Sequence, residues 1–572
     1  MSQKYYSMLF GGTLTMMVVS ALLMSDSIIA GMVVGSDAVA GITLVTPIYS
    51  LAAFFASLFS LGIPIIYSTE MGGFNKKEAD RTFGSGLTMS LVLGVLLFLF
   101  ITIFGDAYLL STSPLAPILE QAREYLYFMR FTIMLLPLQM LISSMVYGDG
   151  DETLSTIANV VQAIGNIVAS ILLAIYMRTR GIGLASFLFN VISLSILLLH
   201  LLKKSNSLKI NLYFSSNTLK RIIHYSIVDS GSYLFLSALI AILNYFVSLH
   251  FGGKYLILVS IVTFCHEMQM MFDGIGEAFT PITSVYLGEE NHEGVRFIYR
   301  LANNTAVAEG IIIMLIMIVA APFIPTILNI KDPELIRYAT AEIRILATGS
   351  VFVSLLYLIS SHYLIINKVL LGFGANALMN VVLPASLSVV FGMTFGIYGM
   401  FIGLAVAEAL SYGLLYVYIC IRYGRENFPL LLSEVPCSAK TYLFNLTTEP
   451  HEIINLQKKI ETLLLENDVD SRMIGRVKLL IEELYMLIRE KNGNKAILSE
   501  CSITIKPEGI QIITKDDGVH FDVSEDDISV TSITALTVSS YMKKLDENRR
   551  HLTTMSFNRS SFLIKRGSNG TD

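Results

Sequence analysis

Residues 72–81 read GGFNKKEADR and residues 288–296 read GEENHEGVR. Gly72 answers Gly288 and Asn75 answers Asn291, and both pairs keep one spacing, 288 − 72 = 291 − 75 = 216. Gly183 in RGIGLAS and Gly399 in FGIYGM keep it as well. The chain therefore contains a duplicated unit. Each copy is a series of long apolar segments, and a membrane protein made of two copies of one helical bundle places its substrate route at the seam between them.

The composition agrees. Of 572 residues 53% are apolar and 15% charged, and the mean hydropathy is +0.63, whereas soluble chains carry about 25% charged residues. The charges are unevenly spread. Residues 1–430 hold 22 Lys and Arg with 24 Asp and Glu, and the last 142 residues hold 18 and 21. A soluble domain follows the membrane domain.

A helix needs about 20 apolar residues to cross a hydrocarbon layer of roughly 30 Å. Stretches of that kind fall near 8–33, 39–70, 83–105, 124–147, 153–177, 182–202, 222–250, 255–287, 302–329, 338–366, 369–391 and 397–421. The simplest expectation is an all-α bundle of twelve spans in two six-helix lobes, 1–202 and 222–425, joined by a basic cytoplasmic link at 203–221. With an even count, the ends and the loops after even-numbered spans hold fourteen Lys and Arg, among them Lys76, Lys77, Arg81, Arg296 and Arg300, and the opposite loops hold six. The positive-inside rule then puts both termini and the charged tail in the cytoplasm. The first apolar stretch is too long for a signal peptide and reads as a retained span. Four cysteines without paired spacing suggest neither disulfides nor a zinc site, so no metal or redox cofactor is expected.

Ionisable groups are costly in hydrocarbon, so those within spans are candidates for an ion path. Asp26 sits mid-span in LLMSDSIIAGMVVG and could bind and release a proton or sodium ion; a packing carboxylate bonded to Ser25 or Ser27 is the alternative. In the eighth segment, His266, Asp273 and Glu277 fall within roughly 20° of a common line on a continuous helix of about 100° per residue. They form one ionisable face, either a cation or proton relay or a hydrogen-bond network between helices. Asp229, Glu309, His362 and Glu408 stand alone in their spans.

Four runs carry a family resemblance: SDSIIAGMVVGSDAVAGI, GIPIIYSTEMGGFNKKEADR, YGDGDETLSTIANV and GEAFTPITSVYLGEENHEGVR. In that order and at those spans the sequence resembles the multidrug and toxic compound extrusion (MATE) family over about residues 1–425. The resemblance implies two six-helix lobes around a central cavity that exports cationic or amphipathic compounds in exchange for sodium ions or protons. Asp26 matches the family's first-span acid. Asn166 matches the asparagine of its fifth-span N-x-x-x-D pattern, where Ser170 stands in place of the aspartate. The site this implies, Asp26 with Asn166 and Ser170, has lost a carboxylate that the His266, Asp273 and Glu277 face would compensate.

After residue 430 the pattern turns α+β. Residues 451–467 and 472–491 have helical periodicity, ILSECSITIK and GIQIITK read as a hairpin, and HLTTMSFN with SFLIKR reads as a later strand pair. KLLIEELYMLI followed by ITKDDGVHFD resembles the ATP-binding domain of histidine kinases and anti-sigma-factor kinases over residues 440–567. In that family Glu483 would activate water and Asp516 with Gly518 would hold adenine. Leu487 stands where the magnesium-binding asparagine belongs, His520 replaces the second glycine, and no glycine follows Gly518 before Gly567 to make a lid. Without magnesium ligand or lid, phosphoryl transfer lacks its electrostatic support. The expectation is a degenerate site without hydrolysis in a nucleotide-free regulatory domain that binds a protein partner, with ATP or ADP binding as the lesser alternative.

The leading expectation is thus a multi-pass inner-membrane antiporter for a small organic solute. It is driven by sodium ions or protons, with no enzymatic activity and no nucleic-acid partner. A lipid-linked precursor flippase of the same superfamily and a membrane receptor signalling through its tail are the alternatives.

Overall fold

A computed structural model describes residues 2–60, 62–73, 75–112, 116–203, 206–252, 255–327, 330, 332–434, 440–506, 509–521, 549–552 and 557–565. The chain divides into two compact units, Met1–Gly288 with Ile298–Glu434, and Glu289–Phe297 with Val435–Asp572.

The first unit is helical. In its N-terminal half α1 (Ser2–Ile29) runs into a π-turn at Ala30–Val34, followed by α2 (Ser36–Leu58), α3 (Ile63–Gly72), α4 (Lys76–Thr112), α5 (Ala116–Gly148), α6 (Glu152–Met177) and α7 (Thr179–Leu198). The C-terminal half contains α8 (Ser216–His250), α9 (Leu256–Gln269), α10 (Asp273–Gly288), α11 (His292–Ala320), the short α12 (Ile324–Ile327), α13 (Pro333–Ala347), α14 (Ser350–Ile365), α15 (Val369–Ala377) and α16 (Leu383–Tyr423). The first residues of α11 belong to the second unit.

Among the described residues nine helices are long and apolar enough to cross a membrane, and a tenth is counted when α13 and α14, bent by 47°, are taken as one span. The expected count of twelve is not reached by that criterion, for two local reasons. A 3₁₀ turn at Met270–Phe272 splits the eighth segment into α9 and α10, and Val369–Tyr423 passes as a single stretch although Gly396 breaks it with φ 69° and ψ −155°. The link expected at 203–221 also ends earlier, because α8 begins at Ser216 with Ser215 Oγ accepting from Thr218 N at the cap.

The repeated motif explains how the halves meet. Asn75 and Asn291 each stand immediately before a long helix. Asn75 O accepts from Glu78 N and Ala79 N at α4, and Asn291 Oδ1 accepts from Gly294 N at α11. Just before them, Gly72 and Gly288 end α3 and α10 and touch each other. A Cβ on Gly72 would lie 2.5 Å from Val285 O and 3.1 Å from Gly288 Cα, and one on Gly288 would lie 2.3 Å from Thr69 O and 2.9 Å from Gly72 Cα. Backbone packs on backbone, as expected of apolar helices that gain little from hydrophobic burial inside a membrane and associate through close van der Waals contact. The seam continues along α1. A Cβ on Gly274 of α10 would lie 2.5 Å from Thr13 N, Tyr5 Oη pairs with Thr305 Oγ1 at 2.7 Å and Thr13 Oγ1 donates to Glu309 Oε1 at 3.3 Å.

Near the end of α5, Asp149 and Asp151 bracket the His200 ring at 2.8 and 2.9 Å, Lys203 Nζ lies 2.6 Å from Asp151 and Asp149 also accepts from Ser207 N. Burial pushes the Asp151 carboxyl up, but hydrogen bonds from Lys203 and His200 outweigh it and hold the group below its ordinary value. The basic stretch after α7 is thereby tied to the α5–α6 turn.

The second unit is a five-stranded antiparallel sheet with two helices on one face. Its elements are β1 (Lys440–Thr447), α17 (Pro450–Glu466), α18 (Ser471–Lys491), β2 (Leu498–Lys506), β3 (Gly509–Asp516), β4 (Arg549–Leu552) and β5 (Phe557–Lys565), in the order β1-β2-β3-β5-β4. Ile453, Leu456 and Ile460 of α17 and Leu480, Leu484 and Ile488 of α18 share one apolar cluster with Ile503, Ile512, Phe562 and Ile564. The hairpin and both helices fall where periodicity places them. β1 precedes the helices instead of following them, so the expected order of helices before sheet is corrected. Burial pushes the Cys501 thiol of this core up to about 12, which keeps it an inert apolar filler.

Any side chain at Gly72 or Gly288 must part the two backbones. Gly72→Val and Gly288→Val are each expected to lower the stability of the purified full chain by about 1–3 kcal/mol, read as a fall in melting midpoint in detergent. An unchanged midpoint in both would contradict this seam.

Candidate functional site

The end of α1 holds the N-terminal cluster. Asp26 lies one turn before the π-turn at Ala30–Val34, a local widening of the kind that recurs at functional positions. Tyr125 Oη of α5 donates to Asp26 Oδ2 at 2.7 Å, and Ser186 Oγ of α7 lies 3.3 Å from the same oxygen. Asn166 Nδ2 of α6 donates to Ser186 Oγ at 2.9 Å, and Ser170 Oγ donates to Asn166 Oδ1 at 3.1 Å. Four helices therefore converge on one carboxylate, and Asp26, Asn166 and Ser170 join one network through Ser186. Of the two serines expected to bond Asp26, Ser25 Oγ donates to Leu22 O instead, and the side chain of Ser27 lies outside the described residues.

The network is incomplete at one point. Asp26 Oδ1 is buried and has no hydrogen-bond partner among the described residues. A buried carboxylate oxygen left unpaired is expensive, and either a proton or a small cation on it would remove the cost. Tyr125, Ser186, Asn166 and Ser170 offer only neutral oxygens around it, so one bound positive charge suffices.

The eighth segment does not act as one face. The 3₁₀ turn at Met270–Phe272 winds at about 120° per residue instead of 100°, which over three residues rotates α10 by about 60° relative to α9. His266 lines a cavity in the C-terminal half, whereas Asp273 and Glu277 begin α10 beyond the turn. Neither Asp273 nor Glu277 is among the residues that line this cavity.

That cavity contains a group the sequence reading set aside. It measures about 40 Å³ and is lined by His266, Gln269, Cys265, Asn380 and Glu408 among apolar side chains, room for about one water, whose share of the liquid is about 30 Å³. Gln269 Nε2 donates to Glu408 Oε1 at 3.3 Å, while Glu408 Oε2 is buried without a partner among the described residues. Glu342 on α13 is fully buried with both carboxylate oxygens in the same condition. A Cβ on Gly349, at the bend between α13 and α14, would lie 1.5 Å from Glu408 Oε2, so the carboxylate occupies the space that this glycine leaves. Each half thus holds a buried carboxylate with one unsatisfied oxygen. Among the described residues no group of three His, Cys, Asp or Glu could hold a metal ion.

The tail's nucleotide motif is turned inward. Asp516 is fully buried, and its Oδ1 accepts from Asn558 Nδ2 at 3.1 Å and from Gly518 N at 3.3 Å. Asn558 Nδ2 also lies 2.7 Å from Gly518 O, and Asn492 Oδ1 accepts from Val519 N. Protein groups thus engage Oδ1 of this carboxylate. Glu483 is half-buried on α18, and the lid region at 522–548 lies outside the described residues.

Gly349→Ala should displace Glu408 and lower stability by about 1–3 kcal/mol. Adding Glu408→Ala should recover part of that loss, because it empties the contested space. Melting midpoints of both variants and the double variant check the pair, and strict additivity would contradict the contact.

Comparison with known proteins follows this geometry. Residues 13–172 match the MatE family model, and no curated protein matches the chain. A MOP superfamily transporter from Pyrococcus furiosus, in a structure described as having a binding pocket of reversed polarity that suggests a different function, superposes with a TM-score of 0.68 at 18% identity, over 74% of this chain and 95% of that one. A MATE protein in complex with MaL6 gives 0.67 at 19% identity over 74% and 96%. An outward-facing multidrug resistance MATE family transporter gives 0.67 at 19% over 74% and 95%. Residues 13–172 thus carry a MatE-type sequence pattern, and the membrane unit has the fold of these MATE and MOP superfamily structures.

Proposed function

We propose that the chain is a secondary active exporter of small organic, cationic or amphipathic compounds, coupled to the inward movement of sodium ions or protons. The observation that carries this reading is Asp26. It is a carboxylate within a membrane-spanning segment, held by Tyr125 and Ser186, with Oδ1 buried and unpaired among the described residues. A group in this condition changes its bonding when a cation or proton arrives, and the helices that supply its partners, α5, α6 and α7, must adjust with it. Ser170 in place of an aspartate leaves this site a single formal negative charge, so one monovalent ion or one proton balances it. Glu408 is its counterpart in the other half.

Twelve spans, both termini in the cytoplasm and residence in the inner membrane complete the reading, supported by the excess of Lys and Arg in the loops on the side of Gly72 and Gly288. The seam contacts at those glycines lie on the side that this reading makes cytoplasmic. A basic cavity for an anionic lipid cargo finds little support. Arg130, one of two arginines within spans, stands over the rings of Tyr127, Phe131 and Phe98 at 4.6, 5.2 and 5.9 Å and is engaged by them. For the tail, the internal bonding of Asp516 favours a regulatory role without nucleotide hydrolysis.

Dye efflux from vesicles containing the full chain, under separately imposed sodium and proton gradients, tests the proposal. One gradient should drive efflux, and Asp26→Asn should reduce the driven component to that of protein-free vesicles while leaving the protein folded. Efflux that ignores both gradients, or survives Asp26→Asn unchanged, would overturn it.

A further inference from the structure

The sheet of the second unit carries a row of charged residues on one face. Register places Glu500 of β2 opposite Lys515 of β3, and Lys515 opposite Arg559 of β5. Side chains alternate along a strand, so these three project from the same face, opposite to the apolar face under α17 and α18. Lys515 and Arg559 are each 1% exposed.

Glu289, the residue after Gly288 at the turn between α10 and α11, pairs with this row. Its side chain is fully buried, with Lys515 Nζ donating to Oε2 at 2.7 Å and Arg559 Nε 3.0 Å from Oε1, an ion pair outside hydrogen-bond angles. Lys515 Nζ also lies 3.2 Å from Glu500 Oε1. The four charges balance. Glu290 adds a looser pair with Lys506 at 3.7 Å. Residues 289–297 are accordingly a structural part of the C-terminal unit, although the chain enters them from α10 and leaves them along α11.

We propose that the C-terminal domain is a built-in brake on transport: its sheet holds Glu289 through Lys515 and Arg559 and so restrains the α10–α11 turn. Glu289 is bonded directly to Gly288, which packs on Gly72. The halves must separate at that glycine pair if the chamber is to open on that side, and the turn has to move with α10. Holding a buried four-charge cluster together resists that movement, because pulling out Glu289 breaks two ion pairs in a dry site. A ligand or protein that engages the sheet would release the turn. The braking of transport rests on the exporter reading above; the grip on Glu289 does not.

Two measurements on the full chain test the inference. Amide hydrogen exchange in detergent reads the grip. Glu289→Gln and Lys515→Met should each raise exchange of residues 285–297 and of β3 and β5 by about tenfold or more. The double variant should exceed either single one by far less than the product of the two effects. Unchanged exchange in 285–297, or independent effects, would overturn the grip. Vesicle transport reads the brake. Glu289→Gln should raise the gradient-driven rate about twofold or more, and a rate equal to or below that of the unaltered chain would overturn it. If the unaltered chain transports nothing, the exporter reading fails and the brake with it, while the exchange data still decide the grip.

Discussion

Everything in the membrane unit depends on a place where two backbones touch. Gly72 and Gly288, one from each copy of the repeat, have no room for even a methyl group between them. Lipid is as apolar as the helices, so hydrophobicity does not hold the halves together. Close van der Waals contact through small residues does, helped by isolated polar bonds such as Tyr5 to Thr305. A contact of this kind is firm when made and cheap to break, which suits a seam that must open and close.

Duplication supplies symmetry, and the functional groups depart from it. The N-terminal half gathers Tyr125, Ser186, Asn166 and Ser170 around Asp26. The C-terminal half buries Glu408 behind the bend at Gly349, beside Gln269 and His266. Both leave one carboxylate oxygen waiting for a positive charge, yet no residue of one cluster sits at the repeat position of the other. The two halves share a frame and use different chemistry inside it.

The frame was legible because its signals are local or periodic. Hydropathy marks the long helices, the spacing of 216 marks the seam, and alternation marks the β2–β3 hairpin. Asp26, Asn166 and Ser170 were found through their motif, but Tyr125 and Ser186 are an ordinary tyrosine and serine until folding brings them to Asp26. Glu408 looked isolated because its partner Gln269 lies 139 residues away in sequence. The common line of His266, Asp273 and Glu277 assumes an unbroken helix, and the 3₁₀ turn at Met270–Phe272 that interrupts it has no strong signature in CHEMQMMFDG. In the sequence Glu289 is only part of a repeat motif; what makes it special is its pairing with Lys515 and Arg559, on a sheet more than 200 residues later.

Spin labels report the seam most directly. With the four native cysteines replaced by alanine and labels placed at Lys77, exposed beside the start of α4, and Arg300, exposed on α11, pulsed dipolar spectroscopy in lipid nanodiscs gives the distance across the Gly72–Gly288 contact. If the halves rock apart there as the carboxylates exchange their ion, changing sodium concentration or pH adds a longer distance to the distribution, and Asp26→Asn suppresses that change. One short distance that ignores sodium, pH and Asp26 alike would contradict the account.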